Sequence, residues 1–342
     1  MSTRAAPPAL WITEADVAAV LDMHAAISAV ERALQAEASG AAQNLLKTYV
    51  QWGSGGTLHA LGGALAGKGV VGSKTWAHTA GGATPLLVLF DAASGALCAV
   101  VEAFALGQLR TGATSGVATR WLAAEDARTF AMIGSGKQAM AQIAAVLAVR
   151  PRCAARVFSP TTAHREALVA RVHEVFGVDA SPAASLDEAI DGAAIVTLAT
   201  RARTPFLQAQ GLARGAHVNA IGAITPDRAE LAGDVFGRCG VVAADSVPAV
   251  QQLSREFREY YGSRDWAAVV PLGNVIAGAP RRGPDTDLTL FKAMGAGIAD
   301  VALGAEVLER AERAGRGRPV DQPVPAEINW RPVGAASSGP LR

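Results

Sequence analysis

Cysteine, aromatic residues and charge are all scarce in this 342-residue chain. The three cysteines, Cys98, Cys153 and Cys239, are widely separated and odd in number. They exclude a disulfide scaffold and fit free thiols in a reducing, cytoplasmic compartment. The six histidines are scattered, with no His-x-x-x-His pair and no Cys/His cluster, so no metal site is expected. Only 18% of residues are charged and the signs nearly cancel at net +1, which leaves no basic face for nucleic acid. No apolar run of about 18 residues is free of charge and glycine, so no membrane span is expected. Met1–Pro8 lacks an apolar stretch, so no signal peptide is expected either.

Apolar residues and glycine are abundant, at 50% of the chain and 36 residues. The length predicts one very large domain or two ordinary ones. The most informative stretch runs from Arg128 to Ala139. Thr129–Ile133 is a short apolar strand, Gly134-Ser135-Gly136-Lys137-Gln138-Ala139 has the form G-x-G-x-x-A, and the alanine-rich segment to Val149 reads as a helix. That order binds a dinucleotide pyrophosphate. Gly134 gives the tight turn, Gly136 admits the phosphates, and the helix N-terminus supplies free N–H groups and a positive dipole end.

Thr13–Ala38 shows a 3.6-residue apolar stripe, with Asp22 as the N-cap between two helices. Lys47–Leu109 alternates turn signals with short apolar runs, the mark of antiparallel hairpins. From about residue 115 strands and helices alternate. The strand candidates are Thr129–Ile133, Ala155–Phe158, Ile195–Ala199, His217–Ile221 and Val241–Ala244. This predicts a parallel, doubly wound sheet. A long helix is predicted over Leu288–Ala314, followed by an irregular tail, Gly315–Arg342. The fold class is therefore α/β: a Rossmann dinucleotide-binding domain plus an α+β domain, with substrate in the cleft between them.

An NAD-preferring fold carries an acid about 20 residues after the glycines, at the end of the second strand. Here Phe158 is followed by Ser159-Pro160-Thr161-Thr162, and the first acid, Glu166, lies within a helix. With Arg165 nearby, the pattern favours NADP(H), with NAD(H) as the alternative. In that case Ser159 and Thr161 merely cap the helix.

Four further segments accompany this one. They are Gly72-Ser73-Lys74, then Leu109-Arg110-Thr111-Gly112-Ala113-Thr114-Ser115-Gly116, then Asn219–Leu231, and Leu290–Gly295 with Asp300. In this order, over roughly residues 10–315, they resemble the ornithine cyclodeaminase/mu-crystallin family. The resemblance implies a homodimer. It also implies a discontinuous substrate-binding and dimerisation domain, 1–117 with 308–342, around a Rossmann domain, 118–307. Lys74 and Arg110 would face the substrate carboxylate as catalytic and binding groups, and Thr111 would touch the cofactor phosphates. Thr200 and Gly222 join the glycine-loop residues, Ser159, Thr161 and Arg165 in the expected cofactor set. Relatives often have an arginine near Asn44–Lys47. Lys47 takes its place as a carboxylate ligand, without the bidentate fork.

One departure bears on the reaction. Cyclodeaminases and several alanine dehydrogenases of this family carry a catalytic Asp just after the glycine of the N-A-(I/V)-G segment, where this chain has Ile224. Isoleucine cannot move protons. The expected activity is therefore reduction of a small 2-imino acid, such as a cyclic pyrroline- or piperideine-2-carboxylate, by hydride from a nicotinamide. The rivals are an ammonia-lyase with bound NAD, an alanine-dehydrogenase-like enzyme, and a weakly catalytic binding protein. His59 and His78 are left outside the site, Trp52, Trp76 and Trp266 are assigned to core or interface, and Asp227 with Glu230 to a turn and helix start.

Overall fold

The computed structural model describes residues 7–330 apart from Ser54, Ala279 and Asn329. The expectations for the extreme N-terminus and for the tail beyond 330 lie outside the described residues. Two eight-stranded sheets organise the described chain.

The first sheet runs in the order Arg318–Val320, Ala9–Ile12, Leu97–Glu102, Leu86–Asp91, Val70–Thr79, Gly56–Leu65, Ala42–Trp52, with Gly82–Ala83 attached to Val70–Thr79. All of its pairings are antiparallel except Ala9–Ile12 with Leu97–Glu102. Part of the tail is thus ordered as an edge strand. The helices Glu14–Val20 and Met23–Ala38 begin where their caps dictate. Thr13 forms a reciprocal capping box with Asp16, and Asp22 accepts from the Ala25 N–H at 2.8 Å.

The second sheet is entirely parallel: Ala180–Pro182, Ala154–Phe158, Thr129–Ile133, Ile195–Leu198, His217–Ala220, Leu288–Lys292, Cys239–Ala244, Val269–Pro271. Leu288–Lys292 corrects the expected helix over 288–314. It is a fully buried strand between two others, and the helix begins only at Gly297. A short all-apolar run carries no periodicity to tell strand from helix, and Gly295 at φ 98° breaks the chain between the two.

That helix, Gly297–Arg313, packs along its length on the first sheet and on Met23–Ala38. The expected boundary at 307/308 falls inside it, and the one at 117/118 falls inside the helix Phe104–Leu122. This second helix links the sheets at close range. A Cβ on Gly112 would stand 2.6 Å from the Ala141 carbonyl, and one on Gly116 would stand 2.6 Å from Ile27 Cδ1. The two glycines of the Arg110–Gly116 segment therefore exist for helix packing. One hydrophobic core joins Leu87, Leu89 and Val101 of the first sheet with Val241, Ala243 and Phe291 of the second.

Candidate active site

Both halves of the site lie at the carboxyl ends of the parallel strands, where such sheets bind ligands. The glycine loop leaves Ile133 with Gly134 at φ 110°, and a Cβ there would stand 2.6 Å from the Ala199 carbonyl. Gly136 is different: a Cβ would meet nothing within 4 Å, which leaves open space over the loop. The cleft above has a volume of about 930 Å³. Of the expected cofactor residues, Gly134, Ser135, Gly136, Lys137, Gln138, Ser159, Thr161, Thr200 and Gly222 line it. Ser135 and Ser159 join their hydroxyls at 3.0 Å. Thr161 caps the helix Thr162–Phe176 by position, but its side chain makes no cap bond.

Two expected residues stand outside the lining. Arg165 donates to the Ser159 carbonyl at 3.0 Å, bracing the turn from behind. The Thr111 hydroxyl donates to the Gly107 carbonyl at 2.8 Å within its own helix. Conversely, Arg201, Arg203, Arg228 and His164 line the cleft and escaped the sequence reading. Loop arginines without a motif give no signal in a single sequence. Arg201, Arg203, Arg228 and Lys137 make a cationic rim, and no Asp or Glu among the described residues lines the cleft. The open loop, the volume and this charge fit the pyrophosphate of a dinucleotide.

Glu230 is not a helix-start device. It is fully buried and accepts from the Thr200 N–H and hydroxyl, both at 2.7 Å, and from the Gly222 N–H at 2.9 Å. Burial pushes its carboxyl above the usual range. It ties together the two loops that close the cleft. Behind it Lys292 pairs with Glu256 at 3.0 Å, both buried, and Glu256 accepts the Glu230 N–H at 2.7 Å. Ile224 lines the cleft and packs on the second sheet's core.

The other half is ionic. Lys74, in the strand Val70–Thr79, is only 4% exposed and pairs with Asp300, which is fully buried in the helix Gly297–Arg313. Arg110 Nε lies 3.4 Å from the other oxygen of Asp300. The guanidinium is pressed against Gly295, where a Cβ would stand 3.3 Å from Nη1. Asp245, also buried, holds that turn by accepting from Met294 N at 2.7 Å and Gly295 N at 2.8 Å. Lys47 comes from the outer strand. Burial first, then Arg110 and Lys74, push its pKa down to about 8. Burial also lowers Lys74, against the pull of Asp300. Three basic side chains, Lys47, Lys74 and Arg110, thus converge on two buried carboxyl groups, Asp245 and Asp300, and burial pushes the Asp245 carboxyl above its usual range.

The expected substrate residues are therefore brought together. Sequence reasoning quoted Asp300 without a role and did not single out Asp245. A buried carboxylate partner was required as soon as Lys74 was buried.

The model of the ornithine cyclodeaminase/mu-crystallin family matches residues 9–315. A Delta(1)-pyrroline-2-carboxylate reductase from Bacillus cereus is 32% identical over 242 residues, 69% of this chain and 74% of that one. The solved structure of the Thermococcus litoralis Delta(1)-pyrroline-2-carboxylate reductase, in complex with NADH and L-proline, superposes with a TM-score of 0.85 at 26% identity, covering 91% of this chain and 100% of that one. An archaeal alanine dehydrogenase dimer with bound NAD gives 0.85 at 28%, covering 92% and 99%. Fold, glycine loop and match over nearly the whole described chain agree: this protein belongs to the ornithine cyclodeaminase/mu-crystallin family.

Proposed function

We propose that the protein reduces a small 2-imino acid, with a cyclic ketimine of the pyrroline- or piperideine-2-carboxylate type as the preferred substrate. The carrying observation is the convergence of Lys47, Lys74 and Arg110 on the buried Asp245 and Asp300, in a chain that also carries a nucleotide cleft. It is a receptor for one carboxylate. Arg110 presents its guanidinium fork, with Lys74 and Lys47 on either side. When bound, a reduced nicotinamide supplies the hydride. The chain's own groups fix the carboxylate, exclude water and manage the proton. The Lys74 ammonium, with Asp300 at its back, is the group placed to give its proton to the imine nitrogen as hydride reaches the imine carbon, which leaves Lys74 as the neutral amine.

Reduction fits better than cyclodeamination because Ile224, not a carboxylate, lines the cleft where a proton-transferring group would stand. NADPH is the favoured cofactor. The end of the strand Ala154–Phe158 offers hydroxyls and no acid, and the cationic rim favours the more highly charged nucleotide. A homodimer through the first sheet is also part of this reading. Leu45, Leu46, Val50, Trp52 and Leu58 are each 44% exposed or more, and the long outer strand Ala42–Trp52 has no partner beyond it among the described residues.

The test is consumption of NADPH and NADH by the purified protein with a panel of cyclic and acyclic 2-imino acids, with ammonia release from ornithine assayed separately. Steady NADPH consumption with one imine is expected. Ammonia release from ornithine without net cofactor turnover would instead establish the lyase. Light scattering on the eluting protein reads the dimer.

A further inference from the structure

Three rings stand in a row next to the carboxylate receptor. Tyr49, His59 and Trp76 face one another in register across three adjacent strands. Side chains two residues apart share a face of a strand, so the row lies on the same face as Lys74. His59 and Trp76 are stacked at 4.7 Å between centroids with 14° between planes, and Tyr49 and His59 at 5.6 Å and 26°. The Trp76 ring lies 5.3 Å from Lys74 Nζ. Burial, then Lys47 and His78, push the His59 pKa down to about 4, so the ring is neutral at neutral pH. Its Nε2 meets the Thr57 hydroxyl at 2.9 Å, while Nδ1 is buried with no partner among the described residues. Trp76 and His59 stand together beside Lys74. They form an uncharged wall against the cationic receptor.

We propose that His59 and Trp76 set substrate specificity: they receive the part of the substrate beyond its carboxylate and select a flat, uncharged ring bearing a single carboxylate. The inference rests on the reductase reading above and deepens it. One carboxylate occupies Arg110, Lys74 and Lys47 together. A second carboxylate would lie against uncharged rings, partly desolvated, and would have to share Lys47 and Lys74 with the first, without a cation of its own. A terminal ammonium would be repelled by Lys47 and Lys74. A planar imine ring loses no rotamer freedom on stacking and matches the rings in shape.

The experiment is steady-state kinetics of the intact protein with three imines: a cyclic five-membered ketimine carboxylate, the imine of pyruvate and ammonia, and the imine of oxaloacetate and ammonia. The parent should favour the cyclic monocarboxylate over the dicarboxylate by at least about tenfold in kcat/KM. Trp76→Leu should raise KM for the cyclic substrate about tenfold with kcat within about threefold, and leave the pyruvate imine within about threefold. Trp76→Phe should recover most of the loss. His59→Arg supplies the missing cation and should narrow the cyclic-to-dicarboxylate ratio about tenfold or more. Cofactor binding and thermal melting of each variant establish that it is folded. Equal losses on the cyclic and pyruvate imines in Trp76→Leu would overturn the proposal, because the ring would then only be supporting Lys74. An unchanged ratio in folded His59→Arg would overturn it as well. A parent that consumes no reduced cofactor with any of the three imines would bring down the reductase reading itself, a result distinct from an active enzyme indifferent to both substitutions.

Discussion

In the proposed receptor, Lys47 should make substrate binding sensitive to pH above neutrality. Its pKa falls from the ordinary 10.5 to about 8 because it is buried, with Arg110 and Lys74 close by. Above that value Lys47 is neutral, and the site has lost one of the three cations that attract the substrate carboxylate. One unit higher, about one Lys47 in ten is still charged, so kcat/KM should stand about tenfold below its neutral plateau. A bound carboxylate returns the proton to Lys47, so kcat should fall less. The stability linkage runs the other way. Between about 8 and 10.5 the unfolded lysine keeps a proton that the folded one has lost, so rising pH favours the folded state in that window. Loss of activity there is loss of binding. Initial rates of reduced-cofactor consumption from neutral pH upward measure the profile. Lys47→Arg keeps its charge throughout and should abolish the fall, at whatever plateau its geometry allows. If Lys47→Arg retained the same inflection, the titrating group would be the substrate or another residue, and the reasoning would fail.

The two glycines of the nucleotide loop should separate folding from binding. Gly134→Ala forces a Cβ against the Ala199 carbonyl at φ 110° and should lower stability by about 1–3 kcal/mol from backbone strain alone, with a further loss from the clash. Gly136→Ala has open space around it and should melt like the parent while its Kd for NADPH, read by fluorescence titration, rises at least about tenfold. Asp300→Asn breaks a buried ion pair on two sides and removes the carboxylate that supports the Lys74 charge. A stability loss of about 3–5 kcal/mol and a fall in kcat/KM of roughly 100-fold are expected, and an unchanged KM would show that Lys74 and Arg110 hold their positions without it.

Most of the parallel sheet was legible because each strand candidate sat between a turn signal and a helix. Leu288–Lys292 was not, since five buried residues flow into a helical stripe with only Gly295 to mark the break. The glycine loop was legible for a different reason: its residue types are dictated by backbone geometry, which a sequence records directly. Asp245 and Glu230 were hidden because a carboxylate that caps loop N–H groups looks like any surface acid until its burial is known. Arg110–Gly116 was half understood. The arginine was assigned to the site, but Gly112 and Gly116 serve the crossing of the helices Phe104–Leu122, Ala139–Val149 and Met23–Ala38. Such pairings exist only once the chain has folded.

The hydrophobic core that runs without a break from Leu87 and Leu89 to Val241 and Phe291 has a consequence for how the enzyme works. Units joined by a large apolar interface do not swing freely. The proposed carboxylate receptor draws Lys74, Arg110 and Asp300 from three elements that all feed this core, so its spacing should be set when the chain folds rather than when substrate arrives. The protein should unfold in one cooperative step, losing receptor and nucleotide cleft together. On the proposed reading, discrimination between substrates belongs to a fixed template that need not be reassembled in each turnover.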